Sequence, residues 1–186
     1  MSFFGFCQWL ASTPWSVALH ESQYMYTMVE SVHVLTLTVF VGLAAMLDLR
    51  LLGLAMRRVP ALEVVERLVP WLVSGFAVMA VTGALLFYAI PVRSFQNVFF
   101  LFKVIFLVLA GLNVWVFHSG IYRSIATWTL DPVPPKRARM AATLSLMLWA
   151  CIIIAGRMIA YNWFDCDIQP QPAIVNWWTG CVTDSR

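Results

Sequence analysis

The chain has 186 residues, of which 61% are hydrophobic and only 11% are charged, and its formal net charge is +3. An average soluble domain is about 25% charged, so this composition excludes a soluble globule with a polar surface. The mean hydropathy of +0.80 indicates a multi-pass protein whose solvent is largely the lipid bilayer. The basic residues fall in short loops between apolar runs, and we therefore expect no nucleic-acid partner.

Four apolar runs are long enough to cross a bilayer, which takes about 20 residues in a helix. They predict an all-α, integral membrane four-helix bundle over residues 23–163, with spans near 24–52, 68–90, 97–119 and 139–163. The sequence Ser12-Thr13-Pro14 is typical of a helix start. The first span therefore lies in a longer predicted helix that begins near Pro14.

The first 22 residues lack the basic region that opens a secretory signal peptide. We interpret them as an N-terminal amphipathic helix at the membrane interface, since they carry Phe3, Phe6, Trp9 and Trp15. An aromatic belt that only anchors the protein explains the same residues. Residues 164–186 are predicted to form a polar tail on the same side of the membrane.

Lysine and arginine predict the orientation, because cytoplasmic loops carry an excess of both. Eight basic residues flank the first and third connections, and two lie on the opposite side. This bias predicts that both termini lie on the outer, periplasmic side, and we expect a multi-pass protein of the bacterial inner membrane. The eight are Arg50, Arg57, Arg58, Arg67, Arg123, Lys136, Arg137 and Arg139, and the two are Arg93 and Arg186.

Small and hydroxylated residues inside the spans predict close helix approach and hydrogen bonds between helices. Those residues are Gly42, Ala45, Gly75, Thr82, Gly83, Ala110, Gly111 and Asn113.

Two of the four cysteines, Cys166 and Cys181, lie in the predicted periplasmic tail, where disulfides persist. We predict a disulfide between them, which closes a short loop and stabilises the tail by about 3 kcal/mol. Cys7 lies on the same side and competes for either partner. Cys151 lies in the middle of the fourth span and is interpreted as a packing residue.

Ionisable side chains inside a span are costly in lipid, so each is a candidate functional residue. Glu30 and His33 lie one turn apart on the first span, Lys103 lies on the third and Arg157 on the fourth. At a rise of about 1.5 Å per residue, His33 lies roughly 13 Å from the periplasmic end of its span, and Lys103 and Arg157 roughly 9 Å. We therefore predict a cofactor site in the periplasmic half of the bundle.

Simpler interpretations explain the same residues. His33 pairs with Glu30 or hydrogen-bonds a neighbouring helix, and Lys103 and Arg157 extend to the interface. Asp48 and Arg50 are interpreted as interfacial pairs at the inner end of the first span.

His118 lies about 15 Å from His33 along the bilayer normal by the same rise. Two axial ligands of one haem iron lie about 4 Å apart, so these two histidines do not share a haem, and the role of His118 stays open. His20 becomes the second ligand beside His33 only if the helix breaks between Glu21 and Glu30 and folds back.

Other metal sites have weaker support. Glu30 and His33 match half of a di-iron helix motif, but no second pair exists. Met25 and Met28 with His33 suit copper, although methionines at helical spacing in a membrane are more often packing residues.

Several short motifs occur in the order found in an uncharacterised family of bacterial four-helix membrane proteins, over roughly residues 23–162. They are His33-Val-Leu, Leu47-Asp-Leu-Arg-Leu-Leu-Gly53, Thr82-Gly83, Phe102-Lys103 and Ala110-Gly-Leu-Asn113. That family is similar in architecture to cytochrome-b-like anchors and to the membrane domain of copper-resistance proteins of the D type. The resemblance implies a four-helix bundle with haem b or copper. The chain departs from dihaem cytochromes b, which carry four histidines paired by depth.

We expect a membrane anchor subunit of a redox complex that binds a b-type haem or a quinone. His33, with His20 as second ligand, would hold the haem, or His33 would hydrogen-bond the quinone. Lys103 and Arg157 would neutralise propionates or a quinone oxygen, and Glu30 would orient His33. The ends of the chain would dock periplasmic or membrane partners. The alternatives are a cofactor-free structural subunit and a copper-handling protein, and no catalytic residues are expected.

Overall fold

A computed structural model describes residues 3–161 and 172–179, which are helical apart from turns and connections. A π-helical turn, Phe117–Ile121, and a 3-10 turn, Tyr122–Ser124, join the sixth helix to the seventh. The described part of the chain contains nine α-helices: α1 Phe3–Ala11, α2 Pro14–Glu21, α3 Met25–Leu51, α4 Ala61–Ala89, α5 Pro91–Phe95, α6 Val98–Val116, α7 Ile125–Trp128, α8 Lys136–Ile159 and α9 Ala173–Thr179.

Within the described residues, four helical stretches are long and apolar enough to cross a membrane: α3, α4, Val98–Trp128 and α8. They confirm the prediction of an all-helical, multi-pass protein in a lipid bilayer. The second starts earlier than predicted, at Ala61. Its first turns mix apolar residues with the charged Glu63, Glu66 and Arg67, and an ion pair of 2.7 Å between Glu63 and Arg67, one turn apart, supports them.

The helix start predicted at Pro14 is correct, since α2 begins there. The longer helix does not form, because α2 ends at Glu21 and α3 starts afresh at Met25. The Ser22 hydroxyl accepts a hydrogen bond from the Met25 N–H, 3.1 Å away. That bond satisfies one of the first N–H groups of α3.

The chain divides into two compact units. The terminal unit contains the described residues of 3–33, 81–105, 152–161 and 172–179, and the loop unit contains 34–80 and 106–151. Each transmembrane helix contributes one segment to each unit.

In the terminal unit, the two short N-terminal helices pack on the connection between α4 and α6. Phe3 of α1 contacts Phe95 of α5, with ring centroids 5.2 Å apart. The Ser16 hydroxyl donates to the Tyr88 carbonyl at 2.7 Å, and the hydroxyls of Thr13 and Tyr88 bond at 2.7 Å. α2 is therefore fixed to the end of α4 by hydrogen bonds.

In the loop unit, an apolar core gathers residues from four helices. The turn after α3 ends at Gly53, whose φ of +73° lies in the left-handed region that residues with a side chain rarely adopt. The buried members of this core are Leu51, Ala61, Val65, Ile125, Trp128, Ala138 and Ala142.

Arg50 is fully buried in the loop unit. Its Nε donates to the Val59 carbonyl at 2.8 Å, and its Nη2 donates to the carbonyls of Thr129 and Asp131 at 3.3 and 3.4 Å. One guanidinium thus joins the connection after α3 to the connection before α8.

The pairing expected between Asp48 and Arg50 is wrong. Among the described residues, the ion pair that forms is Glu63–Arg67. Asp48 is buried with the Ser145 hydroxyl beside its carboxyl group, and its Oδ2 has no partner in the described part of the chain. Arg50 bonds to carbonyls because the two connections fold over it.

The predicted helix-packing residues divide into two groups. A Cβ at Gly75 would lie 3.5 Å from the Phe40 ring, and the Asn113 amide donates to the Ala141 carbonyl at 3.0 Å. These confirm close approach and bonding between helices. Gly42 and Gly111 have open space at the Cβ position, as far as the described residues reach. The expectation of close packing at these two glycines is wrong.

Candidate functional site in the terminal unit

His33 is half-buried on α3 and is bonded to α4. Its Nδ1 lies 2.8 Å from the Oγ1 of the buried Thr82. The next residue is Gly83, where a Cβ would lie 3.3 Å from the Cε1 of His33. The missing side chain lets the imidazole lie against the α4 backbone, and the hydroxyl fixes one ring nitrogen. The simpler interpretation of a hydrogen bond to a neighbouring helix therefore holds for His33.

Lys103 is half-buried on α6, with its Nζ directed at α8. The Nζ lies 3.6 Å from the position that a Cβ of Gly156 would occupy. Gly156 is in the last turn of α8, where the carbonyl ends of the peptide dipoles favour a cation. The Lys103 ammonium therefore lies against the backbone of a neighbouring helix.

Arg157 follows Gly156 on α8, and its side chain is exposed. Its Nη2 lies 3.3 Å from the Tyr161 hydroxyl, and its guanidinium carbon lies 5.1 Å from the centre of that ring. This cation–π contact holds the guanidinium at the end of α8.

Glu30 is exposed on α3. Both Glu30 and Arg93 act electrostatically on the Tyr26 hydroxyl, so the three groups share one region. Arg93 belongs to α5 and was interpreted from the sequence only as an orientation charge. Glu30 thus lies near a tyrosine and a cation of the terminal unit.

His20 is exposed on α2, whose buried residues are Ser16 and Leu19. Met25 and Met28 are also exposed. Over residues 3–161 and 172–179, no three His, Cys, Asp or Glu side chains form a group able to hold a metal ion. The five predicted cofactor residues, His20, Glu30, His33, Lys103 and Arg157, nevertheless all belong to the terminal unit.

An aromatic groove of about 460 Å³ lies in the same unit. Phe87 and Phe100, both in its lining, stack on each other with ring centroids 5.4 Å apart, and Phe3 forms part of its wall. Sequence reasoning missed this groove, because phenylalanines inside apolar spans look the same whether they face lipid or a cavity. All of its lining side chains are apolar: Phe3, Phe87, Phe95, Phe100, Leu101, Val104 and Ile105.

The connection before α6 buries polar residues, namely Ser94, Gln96 and Asn97. The Asn97 Oδ1 accepts hydrogen bonds from the N–H groups of Phe99 and Phe100, at 3.0 and 3.3 Å. This cap fixes the start of α6 and so positions Phe100 in the groove wall.

Cys7 on α1 is fully buried, and burial raises the pKa of its thiol. Cys7 and Cys151 are free thiols. The disulfide predicted between Cys166 and Cys181 lies outside the described residues.

His118 belongs to the loop unit and lies on the π-helical turn. Its side chain is exposed, and its ring centroid lies 5.2 Å from that of Tyr122. The structure therefore places His118 and His33 in different units.

Residues 17–162 match the model of a protein family described as a family of unknown function, DUF6644. The chain belongs to this family. The match confirms the resemblance to an uncharacterised family, and membership assigns no activity. No curated protein and no solved structure matches the chain.

Proposed function

We propose that this protein is a membrane subunit of an electron-transfer complex and binds a quinone in the terminal unit. The observation that carries the proposal is the aromatic groove of about 460 Å³. Small-molecule sites are mostly apolar, with a few polar groups that fix orientation. An isoprenoid tail suits such a groove, because stacked rings and aliphatic side chains offer it only apolar contacts.

The polar groups of the same unit supply the complementary chemistry. A quinone oxygen accepts hydrogen bonds, and the His33 imidazole and the Lys103 ammonium are the donors proposed for it. Thr82 fixes the orientation of His33 through its hydroxyl. A bond from a charged donor is stronger than a neutral one in a low-dielectric site, which favours Lys103 for a quinone oxygen that gains charge on reduction.

Haem b fits this donor set less well. A bis-histidine haem needs two imidazoles on opposite sides of one iron, about 4 Å apart. His20, the proposed second ligand, is exposed on α2, and the His33 ring lies against Gly83. Quinone is therefore the cofactor that we propose, with haem as an outcome of the test.

The proposed location is the bacterial inner membrane with both chain ends in the periplasm, supported by the eight basic residues flanking the first and third connections. α1 would lie at the interface and, with the tail, dock a periplasmic or membrane partner. Phosphatase fusions at residue 186 and within residues 54–60 test this. Activity at residue 186 alone is expected, and the reverse result would contradict the orientation.

The binding test titrates purified protein with short-chain ubiquinone and menaquinone analogues and follows quenching of tryptophan fluorescence. His33→Gln is expected to weaken binding about threefold to tenfold, the value of one hydrogen bond. His118→Gln is the matched control, because it removes the same group from the loop unit, and should bind as wild type.

Absorption spectra of the oxidised and reduced protein complete the test. A Soret band would show that the bound cofactor is haem and not quinone. Without a Soret band, non-saturable quinone binding would overturn both cofactors and leave a structural subunit. The exposed Trp9 and Trp15 favour that alternative, since exposed aromatic side chains suit partner contacts.

A further inference from the structure

A second groove, of about 520 Å³, lies in the loop unit along the exposed face of α8. Thr143 is one of its lining residues, and the Thr143 hydroxyl donates a hydrogen bond to the Arg139 carbonyl at 3.0 Å. The proposed quinone site belongs to the other unit and does not use this groove. The residues on which the inference rests are Leu52, Lys136, Arg139, Met140, Leu144 and Met147.

The groove is cationic at one end and apolar along the rest. Lys136 and Arg139 lie three residues apart in the first turns of α8 and so share one face. No acidic side chain lines the groove in the part of the chain that the structure describes. Met140 and Met147 are 71% and 61% exposed, which leaves this apolar stripe uncovered by the protein.

The length of the groove matches one leaflet of a bilayer. From Lys136 to Met147 the helix rises about 16 Å at 1.5 Å per residue. The hydrocarbon core of a bilayer is about 30 Å thick, so one leaflet takes up about half of it. α8 is a membrane span that begins at Lys136, which places the two cations at the lipid headgroups.

We infer that this groove binds an anionic phospholipid. Lys136 and Arg139 bind the headgroup phosphate, since a guanidinium donates two parallel hydrogen bonds to phosphate oxygens. An acyl chain lies on Met140, Leu144 and Met147, whose flexible side chains adapt to it. Basic pockets beside membrane helices bind anionic headgroups in this way.

Charge complementarity selects this occupant. A zwitterionic lipid brings its own cation beside the phosphate and gains less from two basic residues. Free phosphate has no apolar part that could contact the apolar stripe. A partner helix would need acidic residues opposite Lys136 and Arg139, and a groove shaped for such a helix would bind phosphatidylglycerol no better than phosphatidylcholine in the test.

The test uses the purified full chain in zwitterionic lipid nanodiscs and titrates a fluorescent phosphatidylglycerol against the matching phosphatidylcholine. The double variant Lys136→Gln/Arg139→Gln is expected to lose about thirtyfold in affinity for phosphatidylglycerol, because both direct charge-assisted hydrogen bonds to the headgroup phosphate are removed. The control Arg58→Gln/Arg137→Gln removes the same charge from two exposed arginines outside the groove. It should stay within twofold of wild type.

A further variant tests the apolar half. Leu144→Trp fills the stripe and is expected to weaken phosphatidylglycerol binding at least fivefold, with unchanged thermal unfolding. Equal losses in the two double variants would overturn the inference in favour of diffuse surface charge. Unchanged binding in Leu144→Trp, or displacement of the lipid by millimolar inorganic phosphate, would overturn it as well.

Discussion

The terminal unit and the loop unit use charged residues in different ways. In the loop unit, Arg50 is fully buried and donates to carbonyls from two connections. In the terminal unit, Glu30 and Arg157 are exposed and Lys103 is half-buried against a glycine. The first arrangement holds the protein together, whereas the second leaves charge accessible to a ligand.

The difference teaches that the position of a charge in a span does not identify its role. A buried charge is tolerated when hydrogen bonds offset its desolvation, and the three carbonyls offset part of it for Arg50, whose Nη1 has no partner among the described residues. A charged group that stays partly exposed remains available to contact a ligand. What each side chain contacts, rather than how deep it lies, separates Arg50 from Lys103.

Arg50→Ala is the change expected to have the largest effect. It leaves three carbonyl groups without their donor and separates the two connections, so we expect a loss of about 3 kcal/mol in stability. Thermal unfolding followed by tryptophan fluorescence measures it. The control Arg58→Ala removes an exposed guanidinium from the first connection and should change stability by less than about 0.5 kcal/mol. Equal melting temperatures for the two variants would mean that Arg50 does not hold the loop unit.

Gly53→Ala is expected to destabilise the loop unit by about 1–3 kcal/mol. The residue has a φ of +73°, and its Cβ would lie 2.9 Å from the Pro132 carbonyl oxygen. Gly111→Ala is the matched control: its Cβ meets open space in the described part of the chain, and alanine favours a helix by about 1 kcal/mol. Opposite shifts in melting temperature are therefore expected, and a stabilised Gly53→Ala would contradict this account of the turn.

Thr82→Val extends the comparison to the terminal unit. It removes the hydroxyl bonded to the His33 Nδ1 and is expected to lower stability by about 1 kcal/mol. The ¹⁵N chemical shifts of the His33 ring should also change. Thr38→Val, whose hydroxyl bonds only its own helix at the Val34 carbonyl, serves as control and should leave those shifts unaltered. Identical His33 shifts in both variants would refute the His33–Thr82 bond.

The smallest effect concerns the thiols. Burial raises the pKa of Cys7, so less of it is thiolate at neutral pH than for a free cysteine, and reaction with maleimide should be slow and rise with pH. Denatured protein without reductant should give two reactive thiols, Cys7 and Cys151, and reduced protein should give four. Four thiols without reductant would rule out the disulfide between Cys166 and Cys181.

Hydropathy was sufficient to predict the four spans, because only long apolar runs are compatible with a bilayer core. It misplaced the start of α4, since Glu63 and Arg67 extend that helix beyond the apolar run. The break at Ser22 was foreseen only as an alternative, because local sequence does not show whether α2 finds partners such as Tyr88.

The candidate site was predictable in part. Helical rise converts sequence position into depth and so predicted similar depths for Glu30, His33, Lys103 and Arg157, all of which belong to the terminal unit. The partners of His33 and Arg50 depend on helix rotation and loop closure, which depth does not determine. The sequence identified Thr82 and Gly83 only as residues that allow close helix packing, and it did not indicate the aromatic groove.

The position of Phe3 in the wall of the aromatic groove gives the N-terminal helix a further significance. A residue from the start of the chain bounds a space otherwise formed by the helices around the connection from α4 to α6. Movement of α1 would therefore change the width of the groove opening and the access of any apolar molecule to the groove. A bulky fusion placed directly before Phe3 would displace α1, so ligand affinities measured on proteins tagged at this end and at the other end should differ.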